Sequence, residues 1–373
     1  MTNIPPGLNP KGTPMSEPPG ENSLQCSSGG VQKEPASAGC CTGNTGPAPE
    51  IRTATSIITP ASRWDHFAAQ WGINRMGHTV APGLYRLGHP KADSPVFASA
   101  NYTLSFDALR SALAGTDAYI LVLDTKGINV WCAAGKGTFG TEELVRRIEM
   151  AGLCAIVSHR RIILPQLGAP GISAHEVSRR SGFSVEYGPV RARDLPAYLA
   201  THTATREMRT VRFTLADRLI LAPVELVHIA LPALAAAVIL FILAGPVAAL
   251  AAVAAVLAGT VLFPALLPAI PTRDFSTKGF ILGAIVAIPF AASFALAPGM
   301  SGIAQVIAVL VPFLLMPAVT AYLALNFTGS TTFTSRTGVK KEIFRYVPAM
   351  AMMAGAGTIL GIALGILRVM GVA

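Results

Sequence analysis

Apolar and polar positions alternate in three different ways along the chain. Residues 1–60 are rich in Pro, Gly, Ser and Thr and nearly lack aromatics. That pattern supports no core and predicts a disordered N-terminal tail, with order beginning near Trp64. From about 61 to 220, short apolar runs alternate with amphipathic stretches. Ala118–Thr125 (AYILVLDT) is a continuous β-rich run and predicts a strand. Thr141–Gly152 (TEELVRRIEMAG) places Leu144, Val145 and Ile148 at helical spacing, with Thr141 as N-cap. Cys154–His159 (CAIVSH) and Arg161–Pro165 (RIILP) read as strand pieces, and Ser173–Gly182 as a short helix running from a Ser cap to a Gly. Ser184–Val190 reads as a further strand, and RDLPAYLAT from Arg193 opens another helix. Strands and helices alternating at this spacing predict a parallel sheet covered by helices, with ligands outside the carboxyl ends of its strands.

After residue 221 the apolar runs lengthen. Five segments stand out: Leu226–Leu243, Pro246–Ile270, Phe280–Ala297, Ile303–Leu325 and Val347–Leu367. Each is long enough to cross a hydrocarbon core of about 30 Å, and none carries a formal charge inside it. The expected division is therefore a tail (1–60), an α/β domain (61–220) and an all-α membrane domain of five transmembrane helices (221–373). Arg206, Arg209, Arg212 and Arg218 precede the first segment. Arg273 and Lys278 lie in the second connection, and Arg336, Lys340, Lys341 and Arg345 in the fourth. The first and third connections have no Lys or Arg. Positive loops face the cytoplasm, so this pattern places the α/β domain in the cytoplasm and the C-terminus outside, in a multi-pass protein of the inner (cytoplasmic) membrane. Arg368 at the outer end can snorkel.

Composition sharpens this picture. The chain is 51% hydrophobic and only 13% charged, with a mean hydropathy of +0.51, which excludes a wholly soluble enzyme and a wholly disordered chain. Its net charge of +9 accompanies apolar runs, so membrane lipid and not nucleic acid is the implied partner. The first residues show no charged region followed by an apolar core, so no cleavable signal peptide is expected. Five cysteines without a C-x-x-C pair make neither a disulfide scaffold nor an iron–sulfur site.

The sharpest chemical feature is Asn129–Lys136 (NVWCAAGK), continuing as GKGTFGTEEL. A Cys in a strand-to-helix turn, followed by small residues and close to Lys136, is a soft nucleophile, redox thiol or metal ligand. A small buried core Cys is the plain alternative. Ala133, Ala134, Gly135, Gly137 and Gly140 would allow a large flat ligand close to the backbone. His159 and His175 lack the D-x-H-x-x-G setting of a cobalt-ligating histidine and read as structural or surface residues. Vicinal Cys40–Cys41 could bind a thiophilic metal but lie in the tail. Cys154 reads as core.

The octapeptide NVWCAAGK resembles the signature of the HgcA family, the corrinoid proteins of microbial mercury methylation. Their soluble domain is related to the large subunit of the corrinoid iron–sulfur protein of the acetyl-CoA pathway. PGLYRLG (Pro82–Gly88), SPVFASANYTLSFDALR (Ser94–Arg110), LPQLGAPG (Leu164–Gly171) and GPVRARDLPAYL (Gly188–Leu199) are similar too. The resemblance covers about residues 70–373 and implies a Rossmann-like corrinoid-binding domain. It implies that Cys132 is the lower axial ligand of cobalt, in a cap made with Asn129, Val130, Trp131, Ala133, Ala134, Gly135 and Lys136. Leu164, Pro165, Gln166, Leu167 and Gly168 would cradle a cobalamin-like corrinoid, and Asn101 and Ser105 would meet its amides. The polar connection Asn326–Phe344 would meet the corrinoid domain or a partner.

The implied activity is transfer of a methyl group from a methyl-Co(III) corrinoid to Hg(II), giving methylmercury. Implied partners are a methyl-tetrahydrofolate-dependent methyltransferase as methyl source and the ferredoxin-like HgcB, whose iron–sulfur clusters re-reduce the cobalt. Two rivals remain at this level: a membrane-anchored methyl carrier of one-carbon metabolism, and a membrane sensor or transport component without corrinoid.

Overall fold

The computed structural model describes residues 50–74, 77–300, 302–331 and 335–371. A mixed six-stranded sheet comes first, built from β1 (Ile51–Ala54), β2 (Gly83–Leu87), β3 (Val96–Ala100), β4 (Ala118–Leu123), β5 (Arg161–Leu164) and β6 (Ser184–Tyr187). Their order across the sheet is β1-β2-β4-β3-β5-β6. Helix α1 (Pro60–Gln70) follows β1, and α2 (Thr103–Ala112) joins β3 to β4. Between β4 and β5 run α3 (Val130–Lys136), α4 (Thr141–Met150) and α5 (Leu153–Ile156). Helix α6 (Ala174–Ser181) joins β5 to β6, and α7 (Leu195–Thr201) follows β6.

Strand β4 explains the layering. All six of its residues are buried, because helices cover both faces. Leu121 and Leu123 meet Val130, Leu144, Val145, Ile148 and Val177 from α3, α4 and α6. Ile120 and Val122 meet Phe106, Leu109, Leu195 and Tyr198 from α2 and α7.

Four sequence expectations need correction. First, β1 lies inside the stretch read as tail and pairs in parallel with β2, from Ile51 opposite Leu84 to Ala54 opposite Leu87. Its only large apolar residue is Ile51, so the strand exists by edge pairing and not by composition. Residues 1–49, with Cys40 and Cys41, lie outside the described residues. Second, the sheet is not wholly parallel: β2 runs antiparallel to β4, whereas β3, β4, β5 and β6 are parallel. Third, CAIVSH is not a strand. Gly152 ends α4 at φ 54° and Leu153–Ile156 makes one helical turn. Fourth, the N-cap of α4 is Gly140, and Thr141 Oγ1 instead accepts the Ser173 amide at 2.9 Å, tying α4 to the start of α6.

A linker carries α8 (Arg206–Arg209) and α9 (Leu215–Leu219) back across the sheet domain. The Val190 amide donates to the Met208 carbonyl at 2.7 Å, and Arg191 pairs with Asp217 at 2.5 Å. Beyond it stand α10 (Ala222–Ala244), α11 (Pro246–Leu257) continued by a π turn (Ala258–Leu262) into α12 (Phe263–Leu266), α13 (Phe275–Ala295), α14 (Gly302–Asn326) and α15 (Arg336–Val369). These supply five segments long and apolar enough to span a membrane among the described residues.

Helices α13 and α14 approach closely because Gly279 and Gly283 face Ala321 and Pro317, the small-residue spacing that packs membrane helices. The third spanning helix begins earlier than the apolar run and takes in Lys278. This buried ammonium donates to the Leu267 carbonyl at 2.9 Å and to that of Ile270, closing the end of the preceding span. The start of the polar connection, at Phe327, packs against Phe263 and against Phe213 of the linker, whose ring centroid lies 6.4 Å away. Residues 332–334 of that connection lie outside the described residues.

Candidate functional site

Strands β3 and β5 pair at one register only, Phe97 opposite Ile163, and then diverge. This is also where connections part: β3 leads through α2 to β4 on one side, and β4 leads through α3–α5 to β5 on the other. Ligands of open α/β sheets settle at such a point, outside the carboxyl ends of the strands. A cleft of about 360 Å³ opens there. Ala98, Ser99, Leu164, Pro165 and Leu167 form its floor. Asn129, Val130 and Trp131 form one wall, Ser105 and Leu109 of α2 another, and Val211 of the linker reaches its rim.

The β4–α3 loop that presents this wall is held by side chains. Asn101, buried with 5% exposure, accepts on Oδ1 from the Thr125 amide (2.9 Å), the Thr125 hydroxyl (2.8 Å) and the Gly127 amide (3.0 Å). From the other side Glu143 accepts the Asp124 amide at 2.8 Å. Burial alone would raise the Glu143 carboxyl, but that amide and the guanidinium groups of Arg147 and Arg146 outweigh it and hold the group below the usual carboxylate range. Asn129 then caps α3, its Oδ1 accepting the Cys132 amide at 2.9 Å.

Helix α3 has two faces. Ala133 and Ala134 turn inward and are buried in the sheet core. Their small size lets α3 lie against the 3-10 turn Gln166–Gly171, where a methyl group on Gly171 would collide with the Phe139 carbonyl and come within 3.0 Å of the Ala134 Cα. Trp131, Cys132, Gly135 and Lys136 are outward: Trp131 and Cys132 are half-buried, and Gly135 and Lys136 exposed. A side chain begun at Gly135 would meet no described atom within 4 Å beyond its own turn of helix.

The sequence-chosen residues therefore divide. Asn129, Val130, Trp131, Ser105, Leu164, Pro165 and Leu167 converge on the cleft. Cys132, Gly135 and Lys136 share the outer face of α3 beside it. Asn101 gives its Oδ1 to the loop and does not line the cleft. Gly168 packs on the Phe139 ring. Gln166 faces the linker and accepts from Arg209 Nη1 at 3.1 Å. The smallness of Ala133 and Ala134 serves helix packing. Cleft residues that sequence reasoning missed include Ser99, Val190 and Val211. Their only signal is position at the carboxyl end of a strand (Ser99 in β3), just after one (Val190) or in the linker (Val211). His159 Nε2 donates to the Ser94 carbonyl at 2.8 Å and its Nδ1 accepts the Arg161 amide, while His175 is exposed on α6, so neither belongs to the site. Cys154 packs against the sheet core.

Residues 74–199 match the family described as CO dehydrogenase/acetyl-CoA synthase delta subunit. The chain is 33% identical over 122 residues to an acetyl-CoA decarbonylase/synthase complex subunit gamma from Methanopyrus kandleri, covering 32% of this chain and 26% of that one. A subunit gamma from Methanocaldococcus jannaschii is 36% identical over 97 residues, or 26% and 20% of the two chains. The Methanosarcina acetivorans subunit gamma is 29% identical over 155 residues, 40% and 30%. The chain thus spans about a quarter of the length of the curated relatives it matches. The family match falls within the sheet domain, and the five apolar helices lie after it.

Proposed function

We propose that this chain is a membrane-anchored corrinoid protein of the HgcA type, a methyltransferase that methylates Hg(II) to methylmercury. The observation that carries the reading is the outer face of α3. Cys132 stands half-exposed on a capped helix, and Gly135, one turn on, leaves open space beside it. A glycine inside a helix costs about 0.5–1 kcal/mol relative to alanine, and the open space at the Cβ position of this exposed one leaves room for a ligand against the helix. A soft thiolate donor, a bare helix face, an indole at Trp131 and an adjoining apolar cleft fit a flat macrocycle holding a soft metal.

The residues that would hold the corrinoid are Cys132, toward cobalt, and Asn129, Val130, Trp131, Gly135 and Lys136 around it. Leu164, Pro165, Leu167 and Ser105 would bound the cleft. When bound, the corrinoid supplies a cobalt that takes up a methyl group and gives it to a soft electrophile. Asn129 fixes the first turn of α3 and so aims the thiol. Asn101 and Glu143 fix the loop before it. Leu164, Leu167 and Leu109 keep water from the cleft. Hg(II) is the substrate. A methyl-tetrahydrofolate-dependent methyltransferase and the ferredoxin-like HgcB are the proposed donor and reductant partners, since the two cysteines among the described residues, Cys132 and Cys154, cannot by themselves hold a cluster. The cationic connections support a cytoplasmic sheet domain with the C-terminus outside.

A second reading keeps the cofactor and changes the acceptor. The named relatives belong to acetyl-CoA decarbonylase/synthase complexes, which favours a methyl carrier of one-carbon metabolism. The reconstituted chain, given methyl donor, reductant and Hg(II), should yield methylmercury. Methyl delivery to an acetyl-CoA-forming partner, with none to mercury, would replace the first reading by the second.

A further inference from the structure

Helix α1 is amphipathic the wrong way round for a soluble domain. Its inward face is polar: Asp65 bonds His78 at 2.7 Å, His66 bonds Asp107 at 2.8 Å, and the Ser62 hydroxyl accepts from Arg110. Its outward face is aromatic. Trp64, Phe67 and Trp71 follow one another at spacings of three and four residues and are 67%, 42% and 37% exposed. They touch in series, with ring centroids 5.4 Å and 5.5 Å apart. Ile73, 51% exposed, extends the row. Contiguous exposed apolar surface of this kind marks a contact.

The occupant follows from where the row ends. Gly72, directly after Trp71, packs against Val224, so closely that a methyl group on it would lie 3.2 Å from the valine Cγ2. Val224 belongs to the first turn of α10, in the N-terminal third of the first spanning segment, Leu215–Ala244. One turn earlier Leu219 and Ile220 are exposed as well. The aromatic row is thus continuous with the plane in which the chain enters the bilayer, the depth at which Trp is enriched. Its polar side is committed to the sheet domain, so its apolar side is the one left to insert, as in helices that lie in a membrane interface.

We infer that α1 is an interfacial helix whose Trp64–Phe67–Trp71 row lies among the lipid headgroups and lays the sheet domain on the membrane. The inference rests on the five apolar helices spanning a bilayer and not on the corrinoid. The full chain, in nanodiscs of phosphatidylcholine and phosphatidylglycerol, should lose tryptophan emission when the phosphatidylcholine is brominated near the top of its acyl chains. Two of its three tryptophans sit in the row. In Trp64→Phe/Trp71→Phe the remaining emission, from Trp131, should be unaffected by bromine. Wild-type emission that bromine does not quench would overturn the inference. Quenching by aqueous iodide would then place the row in water, and protection from both quenchers would place it against protein. Equal quenching in the double variant would assign the lipid contact to Trp131 and overturn it as well.

Discussion

Replacing Asn101 by Ala removes one oxygen and takes the acceptor from the buried Thr125 amide and the half-buried Gly127 amide. Thr125 is fully buried, and its hydroxyl retains the Ile128 carbonyl at 2.7 Å, but its amide and that of Gly127 both lose the Asn101 oxygen. Each orphaned buried donor costs about 1–3 kcal/mol. Water entering the vacated space offsets part of that, so the net loss should be about 2–4 kcal/mol. A domain with about 5–15 kcal/mol of stability still folds. At about 2–4 °C per kcal/mol for this size, the melting temperature should fall by about 5–15 °C. Amide exchange should accelerate across residues 124–129, ahead of the rest of β4. Asn101→Asp keeps the acceptor and should recover most of the loss at neutral pH. A loop-setting role for Asn101 would be refuted if Asn101→Ala melted with the wild type and exchange at Thr125 and Gly127 did not change. Corrinoid affinity should drop in parallel although no cleft residue has been altered.

Two glycines separate packing from ligand space. Gly171→Ala should destabilise the sheet domain by about 1–3 kcal/mol, because the methyl group meets backbone. Gly135→Ala should leave the melting temperature unchanged or raise it while weakening corrinoid binding, as measured by titration of the absorption spectrum. The His78 imidazole bonds Asp65 through one nitrogen and the Ile73 carbonyl through the other, so both nitrogens donate and the ring is cationic. Burial alone would lower its pKa, but those hydrogen bonds and the Asp65 charge outweigh it and raise the pKa above the ordinary histidine value. Its contribution to stability should therefore be complete below about pH 6.5 and fade as pH rises through the raised folded value, and His78→Gln should flatten that decline in a pH series of thermal melts. In the membrane domain Gly283→Ala would place a methyl group 2.5 Å from the Pro317 Cα and should lower the detergent melting temperature, whereas Gly361→Ala, in open space on α15, should not.

Long-period patterns were legible in the sequence, and contacts were not. Five apolar runs became five spanning helices because length and the absence of charge suffice to specify them. The core strand β4 and helices α4 and α6 followed from unbroken or periodic apolar residues. Strands β2 (GLYRL) and β3 (VFASA) are short and mix small or charged residues with apolar ones, and their pairing comes from neighbours far along the chain. The direction of β2 leaves no trace in periodicity. At the site, the Cys132 motif was legible as chemistry. Its small residues divide in the structure: Ala133 and Ala134 pack beside Gly171, while Gly135 and Gly137 face open space. Asn101 shows the same limit, since an amide in a loop reads alike whether it meets a ligand or the backbone.

The proposed corrinoid chemistry depends most directly on a bond between Cys132 and cobalt. The full chain, reconstituted anaerobically with cobalamin, can be examined by absorption spectroscopy and by X-ray absorption at the cobalt edge. It should show a sulfur scatterer on cobalt that disappears in Cys132→Ala and is retained in Cys154→Ala, with the alanine variant still folded because a small half-buried side chain is lost at a cost on the order of 1 kcal/mol. A chain that binds no corrinoid, or a cobalt spectrum identical in wild type and Cys132→Ala, would contradict it.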